Sequence, residues 1–200
     1  MEFKEVLQGR RAIKYFDPSH VISPEVENEL FDMAQQSPSS FNIQHWRFVK
    51  VTDKELRQKI RKAAWDQAQV TDASMLLVLC ADVKAWSKNP ERYWQKTSKE
   101  IADYLVNAIG NFYKDRDWIQ RDEAMRSCGL IAQTLMLSAK SLGLDSCPMI
   151  GFDQEAVAEL IKLPEDYAVG MMIVVGKATS PAREKGGFLS KEEIIFENGF

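Results

Sequence analysis

The chain has 200 residues, 45% hydrophobic and 28% charged, an ordinary globular composition that excludes a disordered polymer and allows one sizeable core. Its net charge of -3 argues against a general nucleic-acid or anionic-membrane surface. The longest apolar run, "MLLVLCA" at 75–81, is too short to cross a bilayer, and the N-terminus "MEFKEVLQGRR" lacks an apolar signal core.

Residues 2–9 form a short helix with Phe3, Val6 and Leu7 on one face, and "RRAIKYF" follows as an extended stretch. "SPEVENELFDMAQQ" has Ser23 as N-cap and Pro24 at the first helical position, with Val26, Leu30, Met33 and Ala34 at helical spacing. It ends at "SPSSFNIQHWRF", a loop unusually rich in small polar groups beside aromatic anchors. "WRFVKV" alternates as a strand, and Thr52 or Asp53 caps a helix over "KELRQKIRKAA". "MLLVLCA" is apolar on both faces, as suits a central strand covered on each side.

Residues 83–121 are less regular and rich in aromatics, with one helical stretch at "SKEIADYLVNAIGNFY". "DEAMRSCGLIAQTLMLSAKSLGL" is the strongest helix, apolar nearly all round and stopped by Gly143. "CPMIG" reads as a kinked segment between a strand and the capped helix "DQEAVAELIKL", and "GMMIVVG" as a further strand. The tail, 177–200, is basic, then Gly-rich, then apolar. With no linker or repeat, the expectation is one α+β domain over 1–200, a central sheet wrapped by helices.

Few side-chain chemistries survive inspection. Two histidines, His20 and His45, rule out a histidine-rich metal site, and no Cys or carboxylate spacing fits a metal. His45 reads as a packed or surface histidine. "GKAT" at 176–179 fails as a phosphate loop, because Met171 stands where its first glycine belongs and Ala178 replaces the hydroxyl residue. No GxGxxG follows a strand, and no nucleophile-and-base pair is visible. Three unpaired cysteines, Cys80, Cys128 and Cys147, read as buried thiols of a reducing compartment, so a cytoplasmic protein is expected. An enzyme so equipped would borrow its chemistry from a cofactor.

Arg10, Arg11 and Lys14 are either a solvated basic corner or an anion cradle, since guanidinium forks match phosphate oxygens. The 37–44 loop is either a plain turn or a set of hydroxyl and amide partners for a polar planar ligand. Gly151 lets backbone come close to something, while Pro148 removes a donor.

Together, "RRAIKYF", "SPSSFNIQHWRF", "WDQAQVTDASMLLVLCA" and "LGLDSCPMIGFD" resemble, in order, four motifs of the nitroreductase family of FMN-dependent oxidoreductases. The resemblance covers nearly the whole chain. It implies a mostly antiparallel sheet wrapped by helices, in an intertwined homodimer that exchanges C-terminal tails and holds two FMN sites at the interface. By position, Arg10 and Arg11 would hold the phosphate beside Ala12, where a serine is common, and Lys14 would approach the flavin's N1–C2=O side. Ser39, Ser40 and Asn42 would come from the partner chain, and Gln67 and Gln69 would meet the pyrimidine or ribityl edge. Pro148, Met149, Ile150 and Gly151 would lie against the ring, with the Ile150 amide facing N5. Arg183 and Lys185 would replace a basic tail residue, since Phe188 stands where relatives are often basic. Ile150 replaces a glutamate and Gln69 a lysine found in some members.

The implied activity is an NAD(P)H oxidoreductase that passes hydride through flavin N5 to nitroaromatics, quinones or similar conjugated acceptors in a ping-pong cycle. The aromatic 86–118 segment is either a lid or ordinary packing. The alternatives are a flavin-sequestering protein without turnover, and a binding module for another phosphate-bearing ligand.

Overall fold

A computed structural model describes residues 2–200. Helix α1 (Phe3–Gly9) starts with a reciprocal cap in which the Glu2 amide donates to the Glu5 carboxylate at 3.1 Å. The chain then runs extended, with Ile13 and Phe16 buried and the Ile13 amide donating to Ser146 O at 3.1 Å. Helix α2 (Pro24–Ala34) uses the expected Ser23 cap, whose hydroxyl accepts from the Val26 amide at 3.3 Å. Strand β1 (Trp46–Lys50) follows the polar loop. Asp53, rather than Thr52, caps α3 (Lys54–Ala63), accepting from the Leu56 amide at 2.6 Å. A short α4 (Gln69–Asp72) leads into β2 (Met75–Asp82).

Helices α5 (Lys99–Tyr113) and α6 (Asp117–Ser141) come next, then β3 (Asp145–Met149), α7 (Gln154–Leu160) and β4 (Tyr167–Gly176). The strands lie in the order β1-β2-β4-β3, and each neighbouring pair is antiparallel. The fold is the expected α+β arrangement of a sheet wrapped by helices.

The alternation within β2 shows why its run is apolar throughout. Leu76, Val78 and Cys80 pack on one face with Ile60 of α3, Val70 of α4 and Val157 of α7. Leu77, Leu79 and Ala81 pack on the other with Leu30 of α2 and Ile131 and Leu135 of α6. All eight residues of β2 are buried. Burying each large apolar side chain is worth about 1.5–3 kcal/mol, so this strand anchors both layers. Asp82 at its end is also buried, held by Lys88 at 2.8 Å and Arg47 at 3.5 Å.

Three sequence expectations need correction. Cys147, Pro148 and Met149 are not a kink after a strand but the end of β3 itself, paired with Val174, Ile173 and Met172. Proline is tolerated there because β3 is an edge strand of the sheet. Helix α6 begins at Asp117, taking the last residues of the stretch read as irregular. It is also not buried all round: Leu130 is 45% exposed, because α6 covers the sheet with one side only. Gly143, with φ +76, does end it. The tail carries only a short 3-10 turn at Lys191–Glu193, and its large apolar residues stay exposed.

Candidate functional site

The basic N-terminal cluster owes its position to backbone pairing. Ala12 bridges to Ser146 of β3 and Phe16 to Ala178, so the stretch from Arg10 to Lys14 lies along the β3 edge. Lys14 Nζ stands 3.5 Å from Cys147 Sγ. Burial pushes that thiol's pKa up, against the pull of Lys14 and Arg10, so it meets the ammonium as a neutral sulfur. Arg11 donates through Nη2 to the backbone oxygen of Arg183, which ties the start of the tail to the same edge.

The chain beyond β3 completes this corner. Ile150 is 73% exposed, and Gly151 is half-buried beside the turn after α3. Gln67 Nε2 donates to Gly151 O at 2.7 Å, and buried Gln69 donates to Gln67 Oε1 at 2.9 Å. A Cβ on Gly151 would lie 3.0 Å from the Trp65 ring, so a side chain there would require the exposed indole to shift. Trp65 and Asp66 hold positive φ values of 54° and 57°, with Asp66 tied to Arg61 at 2.7 Å. An exposed indole in such a turn is uncommon and marks a constrained position.

Lys14, Pro148, Met149, Gly151, Gln67 and Gln69 therefore converge on one corner, with Arg10, Arg11 and Ala12 beside it. Ser39, Ser40 and Asn42 do not join them. Ser39 Oγ accepts from the Gln44 amide at 2.9 Å, and Asn42 Nδ2 donates to Tyr93 O at 3.0 Å. Their loop packs through Phe41 and Ile43 on Trp86, Tyr93, Ile109 and Tyr113. It precedes β1, at the sheet edge opposite β3. Three strand spacings, about 14 Å, separate those edges. Of the tail cations, Arg183 meets the corner through its carbonyl, and Lys185 Nζ lies 5.8 Å from the Phe188 ring centre.

The loop's own support is polar and partly unsatisfied. His45 is fully buried, with Nδ1 3.0 Å from Ser127 Oγ. His45 Nε2, Trp86 Nε1, Trp94 Nε1 and Tyr113 Oη are buried without partners among the described residues. Two residues at the corner escaped the sequence reading. Trp65 opens the third quoted motif but carried no assigned role, and Cys147 was visible only as a thiol. No local pattern announces a contact made across the sheet.

A sequence model described as the nitroreductase family matches residues 7–177. Protein DrgA of Synechocystis is 52% identical over 92% of this chain and 88% of its own. MhqN of Bacillus subtilis, provisionally named an NAD(P)H nitroreductase, is 35% identical over 94% of each chain. A solved structure from Exiguobacterium sibiricum, provisionally assigned as a nitroreductase and in complex with FMN, superposes with a TM-score of 0.91. It is 28% identical over 99% of this chain and 98% of that one.

Proposed function

Because the chain belongs to the nitroreductase family of FMN-dependent NAD(P)H oxidoreductases, we propose that it reduces nitroaromatics, quinones or similar conjugated acceptors. In this reading residues 1–200 form one FMN-binding domain, the site is shared by two copies in a homodimer, and the protein works in the cytoplasm. No described helix is long and apolar enough to cross a membrane.

The observation that carries the shared site is the separation of its two halves across the sheet. Cations and close backbone lie at the β3 edge, whereas the polar wall of Ser39, Ser40 and Asn42 lies at the β1 edge. One copy leaves them about three strand spacings apart, whereas two copies related by a two-fold axis would set the β3 edge of each beside the β1 edge of the other. The apolar tail supports the same arrangement. Phe188, Leu189, Ile194, Ile195, Phe196 and Phe200 are each at least half exposed in the single chain, which is costly for so many large side chains.

The residues fit FMN. The donors at the β3 edge suit a phosphate and an electron-rich ring, and Gly151 packs against Trp65 and Gln67 beside the exposed Ile150. Arg10 and Arg11 would hold the phosphate, Lys14 the N1–C2=O side, and Gln67 with Gln69 the pyrimidine edge. Ile150 and Gly151 would offer backbone amides near N5. When bound, FMN supplies the redox chemistry, exchanging hydride at N5 between the nicotinamide and the acceptor. The protein's part is orientation and charge. Lys14 places a cation where negative charge grows on reduction, and neutral Cys147 holds that ammonium without cancelling it. Trp65 closes the side of the cradle beside Gly151.

The test is an anaerobic stopped-flow series on the purified protein. The yellow colour should bleach with NADH or NADPH and return with quinone or nitroarene. A colour that resists both nicotinamides would mean a flavin-sequestering protein, and a colourless protein with no affinity for FMN would end the reading.

A further inference from the structure

Helix α5 carries a face that the flavin cradle does not use. Beside it lies a cavity of about 470 Å³, walled by Phe41 and Phe112, whose ring centres are 5.8 Å apart. Tyr104, Asn107, Asn111 and Arg116 line the rest. The first three recur at helical spacing and so share one side of α5. Tyr104 is 71% exposed, a large ring presented to solvent.

Arg116, at the start of α6, stands 5.7 Å from the Phe112 ring centre and makes no ion pair among the described residues. Asp117, the next residue, meets Lys84 at 3.1 Å, and Asp103 of α5 meets Lys99 at 2.5 Å. Phe41 links this cavity to the polar loop. It has φ 51°, and Asn42 and Gln44 have φ 54° and 52°, a run of left-handed non-glycine residues held by packing.

On the reading that this loop borders the partner's flavin, we propose that the cavity is a subsite selecting conjugated acceptors that carry an anionic group. The planar ring lies against Phe41 and Phe112. Arg116 pairs with the carboxylate or similar anion, a geometry its fork matches in two-point contact. Asn107 and Asn111 hydrogen-bond the acceptor's oxygens, since a carboxamide both donates and accepts. Only the anion needs Arg116, so charge is the feature this site distinguishes.

The experiment uses the FMN-loaded protein and two benzoquinones, one carrying a carboxylate and the other its methyl ester. Anaerobic reoxidation gives kcat/KM for each, and calorimetry gives the affinity of inert 2-naphthoate against 2-naphthamide. The native protein should prefer the anion in both assays, and the preference should shrink as salt rises. Arg116→Gln should reduce it about three- to tenfold and remove its salt dependence, the size expected of a charged contact open to water. Arg116→Lys should keep most of it. A preference that survives Arg116→Gln, with both quinones still turning over, overturns the subsite alone. If neither quinone reoxidises the flavin, the acceptor class itself is wrong and the subsite falls with it.

Discussion

Lowering the pH from 7 to 5 should destabilise this protein through His45. The ring is fully buried, Nδ1 meets Ser127 Oγ at 3.0 Å, and Nε2 has no partner among the described residues to stabilise a second proton. Burial is the main cause that pushes its pKa from 6.5 down to about 4; Asp82 opposes it and Arg47 adds to it. The unfolded chain therefore takes up a proton near pH 6.5 that the folded chain refuses until about pH 4. Stability from this group is complete above pH 6.5 and is lost progressively as the pH falls toward 4. At pH 5 the interval below 6.5 is 1.5 pH units, which at about 1.4 kcal/mol per unit costs roughly 2 kcal/mol. Carboxylates titrate mostly below this window, and comparison with a His45 variant separates this ring from His20. Urea unfolding at pH 7, 6 and 5, on the native protein and on His45→Gln, measures it. The variant should be less stable at pH 7 yet nearly flat across the range. If His45→Gln shows the same fall as the native protein, the destabilisation comes from elsewhere and the reasoning about His45 fails.

Lys14→Met should leave FMN bound but lower its two-electron potential by tens of millivolts, because a charge a few ångströms from N1 is worth up to about 4 kcal/mol near a protein surface. Spectroelectrochemistry showing an unchanged potential would place Lys14 away from the ring. Lys88→Met should cost about 3 kcal/mol of stability by urea unfolding, since Asp82 would stay buried with Arg47 at 3.5 Å as its remaining cation. Hydrogen bonds to Asp166 and Asp82 outweigh burial and hold the Lys88 pKa up at about 12, so a cost that appears only above neutral pH would contradict this account. On the reading that the tail wraps a partner copy beside its flavin, deleting residues 181–200 should weaken dimerisation and FMN retention together. A truncated protein that sediments as a dimer and remains yellow would falsify the tail's role.

Much of the architecture was legible in the residues themselves. Ser23 with Pro24 and Asp153 before α7 cap where expected, because a cap is a hydrogen bond closed within three residues. "MLLVLCA" announced a strand buried on both faces, since a short unbroken apolar run suits a strand covered on each side. The family was legible for a similar reason: its four motifs are short, local and in order. Other features were decided by packing. Pro148 reads as a break, yet it pairs with Ile173 because β3 ended at the edge of the sheet. Leu130 matches the apolar period of α6 but faces outward, since period alone does not say how many sides of a helix will be covered. The meetings of Lys14 with Cys147 and of Gln67 with Gly151 join residues 133 and 84 positions apart. The distance between the polar loop and the basic cluster is likewise set by strand order, not by spacing along the chain. Local hydrogen bonds and side-chain period are written in consecutive residues, so the sequence alone determined most of the elements, the Ser23 cap and the family. Which elements become neighbours depends on the pairing of β1, β2, β4 and β3, and that pairing alone placed the basic cluster and the polar loop at opposite edges.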